Sequence, residues 1–389
     1  MLATLLLFIL GLQPLHDAGF RGEGLTVAVI DDGFYHADDP DVFDTDRIIA
    51  YYDLLHDSLR QADMFSDPAC RHGTYCLSTM LYDSPDFTGT APDADYILIR
   101  TEDDYHEAPY EVHNLIQGLL LADSLGADII SVSLGYFAFD DTTFNYTYDD
   151  LNGMSELSRT ATDIARRGRL VCVAAGNSGN APWHYIYLPA DAEDILTVGA
   201  VDSAGFIAPF SSFGPTSDGR IKPEVCAWGR QTWLYDPTRY NADTGTYGAL
   251  FRGNGTSFAC PEVAGMAACI WQAYPHLNAA QLRDIIIRSA DSYPSPDNQR
   301  GYGVPDAARA CALAEQLLDL PATDADAPAH KRIHNGQLLI HRAGTDYDLL
   351  GRPQPVSALA PALPTTTRTS TPAWDAGGSP ANRHLMATP

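Results

Sequence analysis

The chain has 389 residues, a formal net charge of −26 and a sequence pI near 4.5, with 45% hydrophobic and 19% charged residues. That length and apolar content suit one large α/β domain with appendages. The acidity argues against nucleic acid and anionic membrane surfaces as partners, because both attract basic patches.

Residues 1–12 carry an apolar run from Leu2 to Leu12 with no Lys or Arg before it. The run is too short to span a bilayer. It also lacks the charged start and small-residue cleavage site of a signal peptide, so a degenerate signal and a truncated start fit it equally. Thr26-Val27-Ala28-Val29-Ile30 is continuous, apolar and β-branched, which predicts a strand buried on both faces of a parallel sheet. Asp31 and Asp32 follow at its C-terminal end, where open α/β sheets place their ligands. His72-Gly73-Thr74 leads into a predicted helix over Tyr75–Leu81. Residues 111–125 space Val112, Leu115, Ile116, Leu119 and Leu120 helically, and Gly126 ends that helix.

Residues 128–135 give a second buried strand, ending in Ser133-Leu134-Gly135. A helix over roughly 154–167 leads to the strand Leu170–Ala174 and then Ala175-Gly176-Asn177, and residues 195–200 repeat the strand pattern. Alternating helices and apolar strands predict a doubly wound, mostly parallel α/β sheet with helices on both faces. Ser257 precedes a predicted helix over Ala259–Ala273, with Pro261 in its first turn. Beyond residue 315 the texture changes. Residues 316–330 read as a linker, and 331–351 as a small hairpin turning at Asn335-Gly336. Residues 352–389, rich in Pro, Thr, Ala and Ser, are expected to be disordered.

The acidic clusters at Asp38, Asp39 and Asp41, at Asp44 and Asp46, at 140–141 and at 149–150 read as solvated surface, and none forms a twelve-residue calcium loop. Seven cysteines, odd in number and without a Cys-x-x-Cys pair, argue against a zinc site. Cys172, Cys260 and Cys269 read as core residues. Cys70 and Cys76 flank His72, and whether they bridge is a matter of geometry.

An acid at Asp31, a base at His72 and a nucleophile at Ser257, each beside glycine, are the parts that acyl transfer by an activated serine requires. The order Asp, His, Ser separates the arrangement from the two other serine-hydrolase orders. Adjacent strand residues face opposite ways, so only one of Asp31 and Asp32 reaches the histidine; Asp31, directly after the apolar run, is the expected one. A serine at a helix N-terminus also meets backbone N–H groups and the positive dipole end, which stabilise an oxyanion.

These segments resemble the subtilisin-like serine proteases, the subtilase family. The resemblance is carried by Val29-Ile30-Asp31-Asp32-Gly33, His72-Gly73-Thr74, Ala174-Ala175-Gly176-Asn177 and Gly255-Thr256-Ser257-Phe258-Ala259-Cys260-Pro261. Phe210–Pro215, Lys222–Val225 and Gly301–Asp306 are further landmarks. It spans residues 13–315, taken as the catalytic domain. The resemblance implies a serine endopeptidase with Asp31, His72 and Ser257 as its triad and Asn177 as the oxyanion donor. It further implies that Ser133, Leu134 and Gly135, with Ala174, Ala175 and Gly176, bind the substrate. Protein or peptide substrates, a monomer, and a secreted or cell-envelope location are expected. No cofactor is required, and structural calcium is compatible, with no ligand set named. A non-catalytic peptide-binding protein on the same fold and a serine esterase are the alternatives, although the latter more naturally carries Gly-x-Ser-x-Gly.

The departures from the family pattern are specific. Asp32 stands where Thr or Ser is usual, and either raises the basicity of His72 or points away. Tyr136 replaces a common second glycine and is expected to narrow a subsite. Tyr75, Cys76 and Cys260 replace the residues usual at their positions. Family members are usually made with an N-terminal pro-domain, whereas thirty residues precede Asp31. The expectation is a chain that folds unaided or lacks its true N-terminus. The segment Lys331–Gly351 loosely resembles C-terminal tails of exported Gram-negative proteins.

Overall fold

A computed structural model describes residues 4–55, 64–102, 106–241, 246–318, 330–334, 337–342 and 345–347. The predicted turn at Asn335-Gly336, residues 319–329 of the linker predicted over 316–330, and the tail over 352–389 lie outside the described residues; residues 316–318 end a helix and His330 begins a strand instead. The chain divides into two compact units, Met1–Pro328 and Ala329–Pro389.

In the first unit, the short helices α1 (Thr4–Ile9) and α2 (Gln13–Asp17) precede β1 (Thr26–Asp31) and β2 (Ile48–Asp53). Then come α3 (His72–Leu81), β3 (Asp95–Arg100), α4 (Pro109–Ser124), β4 (Ile129–Val132), α5 (Glu156–Arg166), β5 (Leu170–Ala174), β6 (Leu196–Val201) and β7 (Val225–Trp228). A two-stranded ribbon, β8 (Arg230–Asn241) and β9 (Thr246–Asn254), leads to α6 (Thr256–Ala273), α7 (Ala279–Ser289) and α8 (Ala307–Leu318). The second unit contains the antiparallel strands β10 (His330–His334), β11 (Gln337–Arg342) and β12 (Thr345–Tyr347).

β1 to β7 form one sheet in the order β2-β3-β1-β4-β5-β6-β7, and every neighbouring pair is parallel. The fold is therefore the doubly wound α/β arrangement expected. The period-2 alternation of each strand divides the core in two. On β1, Val27 and Val29 face a core built with Val263, Met266 and Ile270 of α6. Ala28 and Ile30 face the other core, with Leu115 and Leu119 of α4 and Ile164 of α5. The apolar run at the N-terminus supplies Leu7, Leu10 and Leu12 to the first core. Among the described residues no helix is long and apolar enough to cross a membrane.

β1 sits where the strand order reverses, with β3 on one side and β4 on the other. In such sheets a crevice opens at the C-terminal strand ends beside the reversal. Asp31 ends β1, Ser133 follows β4 and Ala174 ends β5, so the topology brings these three sequence-distant segments to one rim.

Two helices begin earlier than the sequence predicts. α3 starts at His72 rather than Tyr75, and α6 starts at Thr256, so Ser257 lies inside the helix and Pro261 is interior. A proline there has no N–H for the carbonyl four residues back, which is that of Ser257. The freed Ser257 carbonyl accepts instead from Ser133 Oγ at 2.7 Å and from Cys76 Sγ at 3.3 Å. Side chains from the exit of β4 and from α3 thus replace the missing helical bond and tie the Ser257 backbone to the rim.

Candidate active site

Asp31 is fully buried, and its Oδ1 accepts from His72 Nδ1 at 2.6 Å and from Asp32 N at 2.9 Å. Asp31 Oδ2 has no hydrogen-bond partner among the described residues. Asp32 faces another way, as strand alternation requires, and its Oδ1 accepts from Gly73 N at 3.0 Å. Its carboxylate thereby holds an open N–H of the first turn of α3, where negative charge is favoured. The approach is close: a Cβ on Gly73 would stand 2.9 Å from Asp31 Cβ and would collide with Gly33 O. Glycine at 73 is what lets the helix start press against the end of β1.

His72 is one-third exposed along its side chain, and its ring lies against Phe258, with centroids 5.6 Å apart. Burial opposes its charged form, but the Asp31 carboxylate outweighs that and holds His72 well above its usual 6.5. Cys76, one turn along α3, places Sγ 3.8 Å from His72 Nδ1. Burial pushes this thiol up to about 12, so it is uncharged at neutral pH. Cys70 and Cys76 form no disulfide, so the bridge left open by the sequence is not made.

Ser257 is buried, and its Oγ donates to Ser133 O at 3.3 Å rather than to His72. Together with the Ser133 Oγ contact this makes a reciprocal pair between β4's exit and the start of α6. Hydrogen bonds between nucleophile and base are often long or misaligned without substrate and tighten in the complex.

Asn177 projects from the loop after β5. Its Oδ1 accepts from Thr256 N at 2.9 Å and from Thr256 Oγ1 at 3.1 Å. A backbone N–H can only donate, so the side-chain orientation follows from the network. Asn177 is exposed, and these bonds place it at the N-terminus of α6. Thr256 Oγ1 also accepts from Gly176 N at 3.1 Å. Thr256 is therefore the clamp that fixes Asn177 relative to Ser257. Sequence reasoning gives it no role of its own; its position directly before Ser257 is the one available signal.

Ser133, Leu134 and Gly135 leave β4, and Ala174, Ala175 and Gly176 leave β5, so the six form two neighbouring segments of the rim. Gly176 has φ +107°, which only glycine adopts readily. Tyr136 does not narrow the cleft: it is 1% exposed, stacks on Phe139 and donates its hydroxyl to Glu102.

The acidic clusters do not converge on a cage for calcium. Asp39 Oδ1 accepts from Asp41 N, Asp141 Oδ1 from Thr143 N, and Asp150 Oδ2 from Thr147 N, each closing its own turn. Among the described residues, the one group of three metal-binding side-chain types within 4.8 Å is Asp31, His72 and Cys76. Two of its members already hydrogen-bond each other, and an imidazole and a thiol are poor ligands for a hard cation, so this group does not fit a structural calcium.

Asn177→Ala is expected to lower kcat about 10²–10³-fold with KM nearly unchanged, the size found on removing the corresponding donor in a subtilisin. Steady-state kinetics on a peptide substrate measure it, and a change confined to KM would contradict the assignment. His72 must be neutral to accept a proton, and its pKa is raised. Activity should therefore rise with pH through a midpoint above 6.5. A kcat/KM profile with its acid limb at or below pH 6.5 would contradict the Asp31–His72 coupling.

The sequence profile of the subtilase family matches residues 22–303 of this chain. The serine protease AprX of Bacillus subtilis (strain 168) is 29% identical over 299 residues, covering 71% of this chain and 63% of that protein's length. A subtilisin of Bacillus pumilus is 30% identical over 273 residues, 69% of this chain and 85% of that protein. Among solved structures, a protease of Pseudoalteromonas arctica PAMC 21717 superposes with a TM-score of 0.58. It is 24% identical, covering 78% of this chain and 94% of that one, and this likeness speaks to the fold.

Proposed function

The chain belongs to the subtilase family of serine proteases, and from that premise we propose that it cleaves internal peptide bonds by acyl transfer through Ser257. Substrate backbone runs along Ser133, Leu134 and Gly135 as an added strand, with Ala174, Ala175 and Gly176 forming the facing wall. The scissile carbonyl carbon meets Ser257 Oγ, whose proton passes to His72 Nε2. Asp31 holds the ring in the tautomer with Nδ1 protonated and stabilises the imidazolium that forms. The tetrahedral oxyanion is received by Asn177 Nδ2 and by the Ser257 N–H at the positive end of α6. His72 then gives its proton to the departing amine. Water repeats the sequence to release the acid and regenerate the Ser257 hydroxyl.

The observation that carries this reading is the orientation of Asn177. With Oδ1 held by both groups of Thr256 beside the start of α6, the amide nitrogen is left to serve as the donor that a tetrahedral oxygen on Ser257 requires. A fold kept only for binding peptides has no need of that donor. No organic cofactor enters the chemistry. Hydrolysis of casein and of an activated ester, measured side by side, tests the proposal. Cleavage of both is expected. Ester turnover with intact casein would replace it by an esterase, and activity on neither, in folded protein, by a peptide-binding role.

A further inference from the structure

Tyr187 stands between the two segments assigned to the substrate walls, and its role in specificity rests on that assignment. Its ring lies flat on Gly176: a Cβ placed there would be 2.8 Å from both Cγ and Cδ1 of Tyr187, and 2.9 Å from Cδ2. On the opposite segment, a Cβ on Gly135 would stand 2.9 Å from Tyr187 Cβ. Both walls lack side chains at the points where this residue fills the space between them.

The ring is anchored on several sides. Tyr187 N donates to Ala175 O at 3.1 Å, and the phenol oxygen lies 2.6 Å from Ser178 Oγ. Ser178 N in turn donates to Ser212 Oγ at 2.9 Å. Phe137 packs against the ring with centroids 4.7 Å apart, and Trp183 stacks on Phe137 at 5.0 Å. Moving Tyr187 aside would break a hydrogen bond and unstack an aromatic row.

We propose that Tyr187 fills the pocket for the P1 side chain, the residue on the acyl side of the cleaved bond, and so restricts cleavage to glycine, alanine or serine at P1. A slot between two backbone walls that already holds one ring has no volume for a second, nor for leucine, methionine, lysine or arginine. Well-packed protein cannot absorb such a group without displacing what is there.

Fluorogenic tetrapeptides differing only in Ala or Phe at P1 test this. The wild type should favour Ala in kcat/KM by about 10²-fold or more, the scale on which pocket shape discriminates. Tyr187→Ala should move the Phe-to-Ala ratio toward Phe by about the same factor. Tyr187→Phe, which keeps the ring and loses only the hydroxyl, should retain the Ala preference. Each ratio is taken within one preparation, so the active fraction cancels. Wild type cleaving after Phe as fast as after Ala would overturn the proposal, as would an unmoved ratio in Tyr187→Ala. If Tyr187→Ala fails to fold, the wild-type and Tyr187→Phe profiles still decide. Fluorophosphonate labelling of the wild type separates the two levels. Labelling without a preference for small P1 residues removes the role of Tyr187, whereas absent labelling removes the catalytic reading beneath it.

Discussion

Ser257→Ala is expected to lower kcat by about 10⁶-fold, the size measured for loss of the nucleophile in a subtilisin. The change removes the atom proposed to form the acyl bond. Asn177, the α6 N-terminus and the substrate walls stay in place, so a residual rate above that of water remains. His72→Ala should cost about as much, because the serine is a weak nucleophile until its proton has somewhere to go. The double variant should be little worse than either single one, since the two groups act as a unit. The fold has little to lose from the serine change. Ser257 Oγ makes a single long bond to Ser133 O, while the bonds that anchor the segment use the Ser257 carbonyl. Single-turnover kinetics with a thermal melt on the same sample check both halves. Ser257→Ala retaining more than about one-hundredth of wild-type activity would remove the serine from the chemistry, since its loss should cost far more.

The second large effect separates two neighbouring carboxylates. Asp31→Asn is expected to cost about 10⁴-fold in kcat, by the precedent of a serine-protease triad whose aspartate becomes asparagine. An amide can turn a donor toward His72 Nδ1, which favours the tautomer unable to receive the serine proton. Asp32→Asn keeps an oxygen for Gly73 N and should cost about tenfold or less, the worth of weakening one hydrogen bond. The acid limb of kcat/KM should also fall toward lower pH in Asp31→Asn, because the carboxylate that raises His72 is gone. Equal losses from the two substitutions would contradict the assignment of Asp31 as the orienting group.

Much of the sheet is legible in the sequence because its strands are buried on both faces. The runs at β1, β4, β5 and β6 are short, continuous and rich in β-branched residues, the texture of strands covered on both faces. The β8–β9 ribbon escapes the reading. Its pairing slips between Asp236 and Tyr240, around Pro237, and its alternation is broken there. Helix starts are misplaced for a local reason. Proline at 261 argues for a later start of α6, and only the tertiary contacts from Ser133 and Cys76 to the Ser257 carbonyl show why it is tolerated within the helix.

The residues proposed for the chemistry could be singled out in the sequence because each sits in a short, constrained context at a strand or helix end. Their support could not. Thr256 clamps Asn177 through two hydrogen bonds that span 79 residues of sequence. Tyr187 meets Gly135 and Gly176 from a loop whose course no periodicity announces. Tyr136 looks in sequence like an intruder in the cleft, yet its hydroxyl finds Glu102 and the ring turns into the core. Which way a side chain leaves a rim is set by tertiary packing, and one residue of register decides it.

An activated serine at the start of α6 is tested most directly by labelling the purified chain with a fluorophosphonate and locating the modified residue by mass spectrometry. One adduct is expected, on Ser257, lost in Ser257→Ala and strongly reduced in His72→Ala. Folded wild-type protein that takes up no label, or takes it up on another residue, would contradict that chemistry at Ser257.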